Sequence, residues 1–277
     1  MSVLSEPKID CHHHLFDPKR FPYIEDTAYR PEGHEIATAQ QYCAVMQAYN
    51  IRHSLIVGPT SGYNTDNRCL LAAIAEHPKR FRGIAVVPLD ISSDTLATLK
   101  HQGVVGIAFN VAMLGTARFA ELDGLMARLA ELDLFVQIQV VDDQLPDLMP
   151  LLLRTRTRLL IDHSGRPDVS AGLRQPAFQA LLSLAGQGRT YVKLSGLSKF
   201  SREPYPYADG EPYLGALLQA FGAEHCMWGS DWPFLRATER MDIGTLLLLA
   251  EQLLPHAAER EQVLWHTPRK LFGFDQD

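Results

Sequence analysis

The chain has 277 residues, 46% hydrophobic and 21% charged, enough to bury one large core without metals or disulfides to hold it together. Its formal net charge of -6 offers no broad positive field to a polyanion, which sets nucleic-acid binding aside in favour of a small-molecule partner.

Residues 1–8 contain no basic stretch followed by a long apolar run. Neither a secretory signal nor a membrane span is expected, and cytoplasmic residence is the default. Cys11, Cys43, Cys69 and Cys226 are scattered without paired spacing, which fits reduced thiols in a reducing compartment.

Short apolar and β-branched runs recur at 8–11, 53–57, 83–87, 104–109, 134–140, 158–162, 190–194 and 226–230, giving eight expected strands. Helical periodicity lies between them, as in 39–46 and 119–126. Thr38 followed by Gln41, and Ser92-Ser93 before Asp94, read as helix starts. Doubly apolar strands alternating with helices argue for a parallel sheet covered on all sides, and eight units suggest a closed (β/α)8 TIM barrel spanning residues 1–277 as a single domain. The competing open, doubly wound sheet lacks its Gly-x-Gly-x-x-Gly turn after the first strand. Two connections exceed what a barrel needs: 15–37, with Arg20, Tyr23, Tyr29 and Arg30, and 196–212, with Lys199, Arg202, Tyr205 and Tyr207. Both follow strands, so both are expected on the catalytic face as walls or lids.

The first strand ends Ile9-Asp10-Cys11-His12-His13-His14. Alternation points His12 and His14 the same way and His13 the other way. The sixth strand runs into His163, and the eighth into Asp231. In a barrel these strand ends share one rim, where active sites of the fold lie. Three imidazoles and a carboxylate could hold one zinc, or without metal could hydrogen-bond a substrate carbonyl while the carboxylate activates water. Strands four and five offer Asn110, Gln137 and Gln139 in place of a bridging carboxylate, so at most one metal is expected and none is obligatory. Arg166, in a Gly-Arg-Pro turn, is placed to grip a carboxylate. Thr60, Ser61 and Asn64 offer neutral hydrogen bonds, and Tyr23 and Lys199 come from the two long loops. Lys193 is either an electrostatic support or a core residue with a tethered amine. A Gly-x-Ser-x-Gly elbow is absent from the sequence, which gives a serine nucleophile no support.

Asp10-x-His12-x-His14, Asp162-His163-x-Gly165-Arg166-Pro167, Lys193-Leu194-Ser195-Gly196 and Trp228-Gly229-Ser230-Asp231-Trp232-Pro233 occur in this order, and the chain closes on His266-Thr267-Pro268-Arg269-Lys270-Leu271-Phe272-Gly273. The pattern resembles the amidohydrolase superfamily, in its branch of 2-pyrone-4,6-dicarboxylate lactonases. The resemblance implies Asp231 as the base toward water. It makes His12, His14 and His163 polarisers of a lactone carbonyl, often without metal, and Arg166 a contact to a substrate carboxylate. Relatives that act on the dicarboxylate usually carry Gly-x-Arg-Gly-x-Arg at the fourth strand, where this chain has Val105 and Ala108 at the arginine positions. Losing two charged hydrogen-bond donors, each worth roughly 1.5–3 kcal/mol, argues for a substrate other than the pyrone dicarboxylate unless Lys199 or Arg202 compensates. The expected activity is therefore opening of a lactone of a carboxylated or sugar-acid substrate. The alternatives from the same superfamily are a zinc-dependent decarboxylase and a sugar-lactone isomerase.

Overall fold

A computed structural model describes residues 2–119 and 121–274. Eight strands, β1 (Lys8–His13), β2 (Ile51–Val57), β3 (Phe81–Ala85), β4 (Val104–Asn110), β5 (Phe135–Gln139), β6 (Leu159–Ile161), β7 (Thr190–Lys193) and β8 (Cys226–Met227), pair in parallel in sequence order. The sheet closes where the Cys11 N–H donates to the Trp228 carbonyl at 3.0 Å and the Asp231 N–H to the His12 carbonyl at 2.8 Å. The expected (β/α)8 barrel is the fold observed.

Around the strands lie α1 (Ala39–Ala48), α2 (Arg68–Glu76), α3 (Ser93–His101), α4 (Val111–Leu114), α5 (Asp123–Glu131), α6 (Gln144–Arg154), α7 (Pro176–Ser183), α8 (Leu197–Phe200), α9 (Glu211–Phe221), α10 (Ile243–Leu253), α11 (Ala257–Glu261) and α12 (Thr267–Leu271). Both expected helix starts are made. Thr38 Oγ1 accepts from the Gln41 N–H while Gln41 Oε1 accepts from the Thr38 N–H, a reciprocal cap. Ser92 Oγ accepts from the Thr95 N–H. The periodic segment 119–126 is not one helix: a 3-10 turn covers Ala117–Phe119 and α5 begins at Asp123, with Ala120 outside the described residues. Strand β8 is shorter than the run 226–230 suggests, because the Ser230 N–H donates to the Asp10 side chain instead of a neighbouring strand. Strand β3 stops at Ala85 because the Val86 N–H is taken by Asn67 Oδ1.

The larger core packs the outer faces of the strands against the helices. A smaller cluster fills the barrel's N-terminal end, where Ile9, Cys11, Leu55, Phe135, Leu160 and Met227 meet Phe272 and Phe274 from the end of the chain. Ile9 and Cys11 therefore face the barrel axis. Between Asp10 and His13 the β1–β2 register gains one residue on β1, a bulge that switches the inward set from odd to even positions. His12 and His14 consequently point inward above Cys11. A further register shift, between Gly83 and Ile84, places an extra residue on β4, with Val105 packed against the lower cluster.

Candidate active site

At the C-terminal ends of the strands a cavity of about 330 Å³ is lined by His12, His14, His163 and Asp231, with Thr60 and Ser61, Arg166, Lys199 and Arg236 around them. The volume suits a small ligand. Asp231 Oδ1 is the focus: the Nε2 atoms of His12, His14 and His163 lie 3.6, 3.7 and 3.7 Å from it.

Each ring is oriented from behind. His14 Nδ1 is 2.8 Å from the Val57 carbonyl, which can only accept, so Nδ1 carries the hydrogen and Nε2 of the neutral ring is a lone pair. His12 Nδ1 is 2.8 Å from Asp162 Oδ1, giving His12 the same orientation. His163 Nδ1 lies 3.2 Å from Ser195 Oγ, whose hydroxyl can donate into it and leave Nε2–H facing the cavity. His13 points the other way, as alternation predicts, with Nε2 3.0 Å from Ser54 Oγ and its ring stacked on Tyr42 at 3.7 Å.

Beneath the imidazoles lies a buried polar layer. Lys193 Nζ donates to Gln137 Oε1 at 2.6 Å and sits 3.3 Å from Asp162 Oδ1, while Gln137 Nε2 donates to Asp162 Oδ2 at 3.3 Å. Lys193 and Asp162 are both fully buried. Burial opposes ionisation of Asp162, but His12, His163 and Lys193 hold its carboxyl below the usual range. Burial pushes the His12 imidazole down to about 3 and lowers His163 as well. Burial likewise disfavours the Asp231 carboxylate, yet Lys199 and His163 together hold it well below its ordinary value. At neutral pH the site thus presents neutral His12 and His163 rings against an ionised Asp231.

His12, His14 and Asp231 each offer a donor atom within 4.8 Å of the other two. Two lone-pair nitrogens and a carboxylate oxygen facing one another need a proton or a cation between them, and rings steered by a carbonyl and a carboxylate are the usual support for a metal ligand. The residues therefore fit one divalent ion. His163 does not join that triad and groups instead with His12 and Asp162.

The remaining expected residues divide. Lys199, on α8, lies 3.2 Å from Asp231 Oδ2 and donates to the Leu235 carbonyl. Arg166, in a left-handed conformation (φ 45°), has a buried Nε without a hydrogen-bond partner. Thr60 Oγ1 accepts from Asn110 Nδ2 at 3.1 Å. Tyr23 is not among the cavity-lining residues: its hydroxyl donates to the Pro31 carbonyl and its ring packs on Phe16 and Tyr63. Arg202 turns to Asp168 at 3.0 Å. Of the two positions where arginines are missing, Ala108 lines the cavity and Val105 does not. Asp162 and Ser195 contact the His12 and His163 rings and were legible only as parts of motifs. Arg236 carried no sequence signal.

Residues 9–274 match the amidohydrolase family. The chain is 31% identical to a 4-sulfomuconolactone hydrolase of Rhizobium radiobacter, covering 95% of this chain and 89% of the relative. It is 26% identical to a D-galactarolactone isomerase of Agrobacterium fabrum, covering 95% and 90%. Among solved structures, a putative 2-pyrone-4,6-dicarboxylic acid hydrolase from Pseudomonas putida superposes with a TM-score of 0.87 at 31% identity, over 98% of this chain and 99% of that one. Fold, order of motifs and these similarities agree: the chain belongs to the amidohydrolase family and is an enzyme of that fold.

Proposed function

We propose that this enzyme hydrolyses a lactone bearing an anionic group, with Asp231 as general base. The observation that carries the reading is the position of Asp231 Oδ1, ionised and ringed by three imidazole nitrogens in a cavity whose Arg166 Nε has no partner.

Arg166 binds the anionic group and turns the lactone carbonyl toward the rings. Asp231 takes a proton from water as the water oxygen bonds to the carbonyl carbon. Nε2–H of His163, in the tautomer that lets Ser195 Oγ donate into Nδ1, donates to the developing oxyanion. The tetrahedral centre then collapses, the ring C–O bond breaks, and protonated Asp231 returns its proton to the departing oxygen, giving a hydroxy acid. A divalent ion held by His12, His14 and Asp231 would add polarisation of the carbonyl and a more acidic water.

The relative that isomerises a lactone supports a second reading, in which a substrate hydroxyl replaces water as acceptor on the same base. Turnover of a lactone panel in ¹⁸O-labelled water separates the two: hydrolysis puts the label in the product carboxylate and isomerisation leaves it unlabelled. Asp231→Asn is expected to lower kcat at least 10²-fold with either acceptor, and full activity in that variant would remove Asp231 as the base. The free cysteines support a reducing, cytoplasmic setting for the reaction.

A further inference from the structure

We infer that Arg236 is a specificity-determining residue that binds a second anionic group of the substrate, from the loop after β8 and across the cavity from the uncharged wall of β4. The inference rests on the lactone reading for the first anionic group but not on Asp231 being the base.

The cavity's charge balance is the first argument. Its lining contains three permanent cations, Arg166, Lys199 and Arg236, against one carboxylate, Asp231. In the layer below, Lys193 and Asp162 offset each other. Lys199 is committed to Asp231, which leaves two arginines in the lining of one cavity, a match for a ligand with two negative charges.

The second argument is that Arg236 is held in place without a direct ion pair to its guanidinium. The Arg236 N–H donates to Glu35 Oε1 at 2.7 Å, and the Tyr29 hydroxyl donates to Glu35 Oε2 at 2.5 Å. Glu35 is only 3% exposed. The guanidinium carbon sits 4.2 Å over the Tyr29 ring. The long 15–37 connection thus supplies a carboxylate that anchors the Arg236 backbone and an aromatic face that supports its side chain. Among the described residues the guanidinium itself has no carboxylate within ion-pair distance.

The third argument is the space opposite. Ala108 lines the cavity on β4, and beside it Asn110 and Met113 carry no charge, so that wall is open and offers an anion no cation. A ligand with two anionic groups can therefore lie with one at Arg166 and the other displaced from β4 toward the loop after β8. The expected substrates are dianionic lactones whose second charge is set for recognition from that side.

The test needs no turnover. Competitive binding of glutarate and butyrate, two open-chain anions of similar length, is measured by calorimetry on the full chain, its Arg236→Gln and Arg236→Lys variants, and Arg166→Gln. Glutarate is expected to bind wild type at least tenfold more tightly than butyrate. Arg236→Gln should erase that ratio while leaving butyrate unchanged, Arg236→Lys should keep part of it, and Arg166→Gln should weaken both ligands. Equal affinities in wild type, a ratio preserved in Arg236→Gln, or a parallel loss of both ligands in that variant would each overturn the proposal. Failure of Asp231→Asn to abolish turnover would instead count against the base and leave this ratio untouched.

Discussion

Ser230 is bound twice to Asp10: its Oγ donates to Oδ2 at 2.5 Å and its N–H to Oδ1 at 2.9 Å. The same carboxyl accepts from the Tyr42 hydroxyl at 2.6 Å and the His12 N–H at 3.0 Å. Burial raises the Asp10 pKa, and these four donors oppose the rise. One side chain therefore fastens the first strand to the last, next to the Asp231 N–H bond to His12. Asp10→Asn would turn an amide NH₂ toward donors and is expected to cost about 2–4 kcal/mol, read as a lower urea midpoint, with activity falling too. Ser230→Ala should cost only about 1 kcal/mol. An unchanged midpoint in Asp10→Asn would mean that closure is carried elsewhere.

The layer of Lys193, Gln137 and Asp162 separates stability from function. Lys193→Met leaves the buried Asp162 charge short of its cation and should destabilise by about 3–5 kcal/mol. Replacing the whole set with Lys193→Met, Asp162→Leu and Gln137→Leu should recover most of that loss, since apolar residues of similar volume remove the charge and its partners together. Activity should not recover, because His12 Nδ1 would have no acceptor to fix its ring. A triple variant with wild-type turnover would show that the layer does not orient His12.

Lys199 bears on the role of metal. Its Nζ, 3.2 Å from Asp231 Oδ2, already places a positive charge against the proposed base. Turnover is therefore expected to persist after dialysis against a chelator, while zinc added back binds one equivalent. His14→Ala, which removes one of the triad's donors, should weaken that zinc site at least tenfold. Activity lost on chelation and restored by zinc would shift the catalytic burden from Asp231 to the ion. Zinc binding unaltered in His14→Ala would locate the ion elsewhere.

The barrel was legible because eight apolar runs recur with helical segments between them, and because strand ends share a rim whatever the loops do. His12 and His14 pointing together also followed from alternation alone. Alternation could not say that they point inward: Ile9 and Cys11 do as well, and only the extra residue on β1 reconciles odd and even positions on one face. The same limit hid the relation between Val105 and Ala108, which alternation puts on opposite faces and the extra residue on β4 brings to the inner face at different depths, Val105 against the lower cluster and Ala108 at the cavity. Tyr23 was expected in the cavity because its loop is on the catalytic face. Its ring is instead taken up by Phe16 and Tyr63. Arg236 depends on a contact between loops some 200 residues apart in sequence, and no local pattern encodes that.

Acid stability should depend on the pair that ties the start of the chain to its last helices. Glu6 accepts from Arg260 Nε at 3.0 Å and Nη2 at 2.8 Å, and Arg260 is 5% exposed. The hydrogen bonds from Arg260 lower the Glu6 pKa. A depressed carboxyl pKa contributes stability that is fully present above the unfolded value, near 4.5, and is lost as pH falls through the folded value. Glu6→Gln is expected to be about 1–2 kcal/mol less stable than wild type at pH 7, with the difference closing below pH 4.5. A gap that does not narrow at all as pH falls below 4.5 would assign the effect to packing.

Gly229 tests how closely the site depends on the position of His12. A Cβ at Gly229 would lie 2.7 Å from His12 Cβ and 2.9 Å from His12 N, closer than real side chains allow. The obstruction is rigid, because the His12 backbone is held by Asp10 and by Asp231. Gly229→Ala must therefore push β1 and the end of β8 apart by several tenths of an ångström, moving His12 Nε2 relative to Asp231 Oδ1. Displacements approaching 1 Å at a reacting group cost on the order of 10²-fold in rate, so kcat should fall by about 10–100-fold. Folding should suffer less, by about 1–3 kcal/mol. The informative quantity is the ratio of the two losses, since a drop in kcat no larger than the fall in folded fraction would mean that His12 is not needed at its observed place.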